Sequence, residues 1–502
     1  MTAYDQLLAE LREIAALASA QALLAWDQET MMPPAAAAGR AEQLALLAGL
    51  IHQRRTCERF AELLAACEAD PELAQDDEAT ANLRELRRDH ERLTRLPSTL
   101  VREFSETTSL ALEAWKDARE RSDFAAFAPW LQKVRDLTRA KAECYGAPAG
   151  GTLYDALLDE YEPGARSAEL ERVFSELRAR LVPLIARVMD APNPPADVLA
   201  GLRVPVAAQE ALGRRVLSAI GFDLNAGRLD VSTHPFCEGL APGDTRLTTR
   251  YREDAAFDAL SSTLHEMGHG LYEQGLPKAE RRGQPLAEAA SLGIHESQSR
   301  LWENLVGRSH AFWEWALPIA QQVCGASLAH LTPGAVYRAV NRVQPNLIRV
   351  DSDEATYNLH VMLRFDLERA LLAGELPVAE LPGAWSERVG ADLGLAVPDD
   401  RRGALQDIHW AMGAVGYFPT YTLGNLYAAQ LWEAVARALP DVQAQLRAGE
   451  FAPLLGWLRE NVHRHGRRYP AAELCRRATG EPLSPEPLLR YLEAKLTAVY
   501  AL

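Results

Sequence analysis

Apolar residues recur three and four apart through most of the chain, as in Ala41–Leu50, Ala168–Leu181 and Leu363–Leu372. That is the period of one helix face, and the Ala, Leu, Glu and Arg filling these stretches lose little freedom on becoming helical. The pattern predicts a mainly α fold. Proline and glycine clusters at 31–35, 147–151, 191–196, 241–243 and 480–487 punctuate it, and each separates helical stretches of similar composition. A single unit over 1–502 is therefore expected, with a helical region to about 220, a motif-bearing stretch 228–425 and closing helices 426–502. One interval breaks the helical period. Between Arg228 and Tyr251, RLDVSTHPF and DTRLTTRY are rich in Val, Thr and aromatic residues and flank the turn-forming GLAPGD, which predicts a β-hairpin.

A chain of 502 residues buries a large core. Its formal charge of -16 makes the average surface repel phosphate, which argues against nucleic acid and anionic membranes as partners. Six cysteines without C-x-x-C spacing suggest neither a disulfide framework nor thiolate-bound zinc, and point to a reducing compartment. The first 26 residues carry Asp5, Glu10, Arg12 and Glu13 among their leucines, unlike a signal peptide. No run approaches the roughly 18 apolar residues that span a bilayer. A cytoplasmic location is expected.

The chemistry-bearing stretch is DAAFDALSSTLHEMGHGLYEQG, Asp254 to Gly275. Phe257, Leu260, Leu264 and Leu271 mark one helix face, Asp254 and Asp258 suit its positive end, and Gly275 supplies a stop. His265 and His269 lie one turn apart, so both imidazoles project to one side and can take adjacent corners of a zinc tetrahedron. With Glu266 between them the pattern is H-E-x-x-H, in which the glutamate acts as general base. Gly268 and Gly270 leave room beside the two ligands.

A catalytic zinc needs a third protein ligand and an open fourth position. PLAEAASLGIHESQSRLWENLVG, Pro285 to Gly307, predicts a second helix with proline in its first turn and a stop near Gly307. It carries Glu296, with Arg300 one turn on and Glu303 two turns on. His295 competes with Glu296 as the ligand. Neighbours on a helix point about 100° apart, so only one of the two can face the ion.

Beyond HEMGH, the chain carries HPF at 234–236, DTRLT at 244–248, HESQ at 295–298, IRVDSD at 348–353 and GALQDIHW at 403–410, with AWDQETMMPP before them and GYFPTYTLGN after. In these motifs and their order it resembles the Taq-type, thermostable zinc metallocarboxypeptidases. The resemblance implies Glu296 rather than His295 as third ligand, an almost wholly helical fold with a deep groove and a small sheet beside the metal, and a homodimer. It also implies peptide substrates with a free C-terminus and one zinc per chain, although cobalt or manganese can take the same donors.

A carboxypeptidase must hold its substrate's terminal carboxylate, which the planar fork of an arginine does best. Arg349 in IRVDSD and Arg246 in DTRLT are the candidates. Tyr417, Tyr421 and His234 are candidate donors to the oxyanion, and His409 is expected to line the groove. Asp353 and Asp407 are candidates to orient histidines. His360, His463 and His465 read as structural. Two rivals share the metal motif: a zinc endopeptidase or dipeptide-releasing enzyme, and a metal-binding scaffold without catalysis. Glu266 argues against the second, because a site without turnover needs no base.

Overall fold

The computed structural model describes residues 1–502. It is 68% helix and 3% strand, so one small sheet is all the β structure there is to seat. Neighbouring Cα positions divide the chain into two compact units, each assembled from three segments. No helix is long and apolar enough to cross a membrane.

The first unit comprises Met1–Thr94, Ala196–Val340 and Tyr427–Leu483. Its N-terminal helix, Ala3–Thr30, starts from a capping box in which Thr2 and Asp5 satisfy each other's backbone N–H groups, removing two of the orphan donors of a first turn. Leu7, Leu11 and Ile14 on that helix pack with Phe60, Leu64 and Cys67 of Glu58–Glu68 and with Leu83 and Leu86 of Asp77–Arg95. Arg467, from the end of the unit's sequence, is half-buried among Glu85, Asp89 and Glu288. It ties the N-terminal bundle to the turn that precedes the second motif helix.

The β-hairpin expectation is corrected in its register. β1 (Gly227–Val231), β2 (Cys237–Ala241) and β3 (Asp244–Thr249) form a sheet of order β1-β3-β2. β3 pairs antiparallel with β2 and parallel with β1. RLDV is thus not the hairpin partner of DTRLTT. The hairpin arm is CEGLA, part of which reads as turn, and the reversal is confined to Pro242 and Gly243, where Gly243 takes φ +76°. A turn this short places β2 directly beside β3, and β1 must then add at the other edge.

The two motif helices also begin later than expected. The first runs Asp258–Gly275, leaving Asp254 outside. Pro285 starts a separate short turn, Pro285–Ala287, and the second motif helix is Leu292–Arg300, capped by the Ser291 hydroxyl accepting from the N–H of Ile294. It widens into a π-turn over Leu301–Val306.

The second unit comprises Arg95–Pro195, Asn341–Leu426 and Ser484–Leu502. Ser98–Arg121 packs along Phe124–Tyr145, while Phe174 and Tyr154 meet Phe365 of the buried helix Tyr357–Ala373 edge-on. On that helix Glu368, 1% exposed, accepts from Trp410 Nε1 at 2.9 Å, the Tyr154 hydroxyl at 2.8 Å and the Gly416 N–H at 3.1 Å. Gly416 sits at φ +90°, and a Cβ there would fall 2.9 Å from the backbone N of Leu158. Glu368 therefore pins the loop that follows QDIHW.

Burial pushes the Glu368 carboxyl up to about 7, against the pull of its three donors. A carboxyl that holds its proton more tightly when folded contributes stability that is complete below its ordinary value of 4.5 and is lost as pH rises through about 7. Denaturant unfolding should show the stability of the parent, relative to Glu368→Gln, falling by about 1.4 kcal/mol per pH unit across that window. A pH-independent difference contradicts this.

Candidate active site

The Asp258–Gly275 helix lays its buried face, including Leu260, Leu264, Met267 and Leu271, into the first unit. Its two motif glycines have distinct neighbours. A Cβ on Gly270 would sit 2.8 Å from Leu247 of β3 and from the Phe222 ring, whereas a Cβ on Gly268 would sit 2.5 Å from the Gln298 carbonyl oxygen and 2.6 Å from Ser299 Cα. Gly268 thus makes room for the backbone of the second motif helix, not for the ligand side chains. That close approach brings Glu296 to the histidines.

Glu296 Oε2 lies 3.6 Å from His265 Nε2 and 3.4 Å from His269 Nε2. The donor atoms of all three residues fall within 4.8 Å of one another. Bonds of about 2.0–2.1 Å arranged tetrahedrally require donors about 3.3 Å apart, so two imidazoles and a carboxylate fit one small divalent ion. His295, the competing ligand, turns away: its Nε2 meets Glu273 Oε1 at 2.8 Å, and its ring stacks on His269 with centroids 4.4 Å apart.

Charge in the site is tightly paired. Arg300 Nε donates to Glu296 Oε1 at 2.6 Å, leaving Oε2 toward the imidazoles. Burial opposes ionisation of Glu296, but Arg300 and His265 hold its carboxyl well below the usual range. Glu266 has no such cation. Burial, reinforced by the Glu296 and Glu303 anions against the opposing His265, pushes it up to about 7. Burial also drives His269 down to about 3. For His265 burial acts in the same direction, yet Glu296 and Glu303 outweigh it and raise the imidazole to about 9.

The sequence and the architecture match known proteins along nearly the whole chain. A sequence profile of the carboxypeptidase Taq (M32) metallopeptidases matches residues 6–496. The chain belongs to that family. It is 48% identical over 507 residues to thermostable carboxypeptidase 1 of Thermus thermophilus, covering 99% of each. It is 36% identical to carboxypeptidase 1 of Bacillus subtilis, covering 98% of this chain and 97% of that one. A solved M32 carboxypeptidase from Deinococcus radiodurans superposes with TM-score 0.96 at 43% identity over 100% of both chains. The Pyrococcus furiosus carboxypeptidase does so with TM-score 0.94 at 37% identity over 99% of both. Membership makes this M32 chain a metal-dependent carboxypeptidase.

The other candidates of this M32 chain fall into two groups. Arg349, His409, Tyr417 and Tyr421 converge in the second unit. Arg349 Nε and Nη2 donate to Asp407 Oδ1 at 3.1 and 2.8 Å, its Nη1 donates to the Tyr357 hydroxyl at 2.9 Å, and its guanidinium lies 5.0 Å from the Tyr421 ring. His409 Nε2 is 3.3 Å from the Tyr421 hydroxyl, and its ring is 5.3 Å from that of Tyr417. Burial pushes His409 down to about 4, so it is neutral at pH 7. Arg246 and His234 belong instead to the first unit. Arg246 is paired with Asp244 on its own strand and lies over Trp26, while His234 is exposed between β1 and β2.

Neither aspartate orients a histidine as expected. Asp407 sits between Arg349 and Arg364, and Asp353 accepts from the N–H groups of Gln344, Ala355 and Thr356, shaping the entry to the Tyr357–Ala373 helix. Glu303, to which the sequence reading assigned no role, contacts His265 directly. Its spacing from Glu296 was the available signal. The pairing of His295 with Glu273 had none, because the two residues lie on different helices.

Gly268→Ala should force the motif helices apart, since the obstructing atoms are backbone. The expected cost is about 1–3 kcal/mol of stability, together with weaker metal uptake. Differential scanning calorimetry and metal titration measure the two. Unchanged stability and uptake would mean that the helices do not touch at this point.

Proposed function

We propose that this chain removes C-terminal residues from peptides, with His265, His269 and Glu296 holding one zinc ion and Glu266 as general base. The observation that carries the reading is the placement of Glu296 Oε2 at 3.4–3.6 Å from two imidazole Nε2 atoms. Both separations are close to the roughly 3.3 Å between donors of a tetrahedral site. Nitrogen and oxygen donors of this kind suit zinc, while cobalt and manganese remain acceptable. When bound, the ion supplies Lewis acidity, polarising the scissile carbonyl and making a water acidic near neutrality.

Glu266 does the proton work. Its carboxylate accepts a proton from the water that attacks the carbonyl carbon, then delivers it to the departing amine nitrogen as the C–N bond breaks. A carboxyl pushed up to about 7 exchanges protons readily near neutral pH, as a group serving as base and then acid requires.

Recognition of a free C-terminus falls to Arg349. Its support is the charge count around it: Arg349 and Arg364 share the single carboxylate of Asp407, so the cluster carries one positive charge in excess. His409, being neutral, does not compensate it. A peptide carboxylate supplies the missing anion, with Tyr421 and Tyr417 beside it as hydroxyl donors to substrate oxygens. Arg246 is the weaker candidate, since Asp244 already neutralises it. His234, exposed between two strands, is retained as a donor to the oxyanion. Resemblance to the family supports a homodimer, and six free cysteines without paired spacing support a reducing, cytoplasmic location.

Two assays test the reading. An N-blocked peptide should be trimmed one residue at a time from its C-terminus, and its amidated twin left intact. Internal cleavage or release of dipeptides would instead favour the endopeptidase or dipeptide-releasing alternative. Glu266→Gln should retain one metal per chain while kcat/KM falls by about 10²–10⁴-fold, and undiminished turnover would remove Glu266 from its role. Chelation should abolish hydrolysis in the parent, and zinc should restore it.

A further inference from the structure

We propose that Glu303 is a positioning residue that fixes the tautomer and tilt of His265, whereas His269 is oriented by ring stacking alone, so the two histidine ligands are held by different physical means. The inference rests on the metal reading above.

Glu303 Oε2 lies 2.9 Å from His265 Nδ1, on the side of the ring away from Glu296. An ionised carboxylate can only accept, so Nδ1 carries the hydrogen and Nε2 presents its lone pair toward Glu296 and the ion. Glu303 is itself held on several sides. Ser261, one turn before His265, donates to Oε1 at 3.3 Å, Arg308 Nη2 donates to Oε1 at 3.3 Å, and Arg300 Nη1 donates to Oε2 at 3.3 Å. Its side chain is 12% exposed, so solvent weakens these contacts little.

Arg300 is the link that makes this a single device. One of its nitrogens holds the metal-facing carboxylate of Glu296 and another holds Glu303. The wide π-turn begins at the next residue and carries Glu303. Such turns insert an extra residue into a helix and recur at functional sites.

His269 has no counterpart to this arrangement. Its Nδ1 is buried without a hydrogen-bond partner, and its ring lies nearly parallel to that of His295, at 21°. His295 is anchored by Glu273, which in turn is paired with Lys278. The chain Lys278–Glu273–His295 thus ends in a flat surface rather than a proton acceptor.

Carboxylates that orient a ligating imidazole typically account for about 10–100-fold in metal affinity. The test loads zinc and cobalt(II) into metal-free parent, Glu303→Ala, Glu303→Gln and Glu273→Gln proteins, and reads affinity by chelator competition and geometry by the cobalt absorption spectrum. Glu303→Ala should bind zinc about 10–100-fold more weakly and shift the cobalt bands. Glu303→Gln, which keeps an accepting oxygen without the charge, should fall between Glu303→Ala and the parent. Glu273→Gln should hold zinc within about threefold of the parent, because the stacking face survives. Circular dichroism of the metal-free forms reports folding, and if the alanine variant does not fold, the glutamine variant decides.

Folded Glu303 variants with parental affinity and spectrum would overturn the proposal. So would a loss in Glu273→Gln as large as that in Glu303→Ala, because His269 would then depend on a charge relay. A His265→Ala control separates this from the metal reading. If that variant keeps the ion, or if the parent takes up none, the metal assignment fails and this inference with it.

Discussion

The site depends on two helices meeting backbone to backbone at Gly268. Any side chain there would press on the Gln298 carbonyl and Ser299 Cα, and the carboxylate of Glu296 would retreat from the two imidazoles. A metal site tolerates little such error, because ligand bonds vary by only about 0.2 Å. The sheet plays a supporting part. β3 meets the same helix at Gly270 through Leu247, so the helix is fixed on two sides by neighbours that come closer than a Cβ would allow.

Each unit handles its charge in the same way, by sharing one group among two or more of opposite sign. Arg300 serves Glu296 and Glu303, Asp407 serves Arg349 and Arg364, and Arg467 serves Glu85, Asp89 and Glu288. Burying an ion is costly unless it is paired and hydrogen-bonded, and sharing fixes several side chains with one charge. The sharing is unequal in an informative way. The Asp407 cluster is left with an excess positive charge, and the surroundings of Glu266 with an excess negative one. These are the places where a substrate carboxylate and a metal ion are proposed to bind.

Much of the chain was legible from its pattern. The helical period announced the fold class, and the spacing within HEMGH put both imidazoles on one face because i and i+4 positions stack on any α-helix. Glu296 against His295 was undecided by pattern alone, since both lie on the same turn; the family resemblance pointed to Glu296, and it is Glu296 that faces the histidines. The sheet was only half legible. The strand-forming character of RLDV and DTRLTT was clear, but β propensity does not specify a partner, and a strand that joins in parallel leaves no turn signal between itself and its neighbour. Glu368 was invisible because its three donors come from two stretches far from it in sequence, and Asp407 was misjudged because its two arginines precede it by more than forty residues. Long-range pairing of this kind has no periodicity to betray it.

The charge balance around Glu266 also raises the His265 imidazole against burial and adds to the burial that raises Glu266. Glu266, Glu296 and Glu303 set three carboxylates against the guanidiniums of Arg300 and Arg308, leaving one negative charge in excess beside two imidazoles. The protein meets that excess with protons, held more tightly than usual at His265 and at Glu266. A divalent cation between the ligands meets it better, since it brings two charges to the point where the carboxylate and both Nε2 atoms converge. Proton and cation therefore compete for the same excess. Glu266, which is not a ligand, is the one carboxylate of the three without a fixed guanidinium partner, and so it stays free to take up and release a proton.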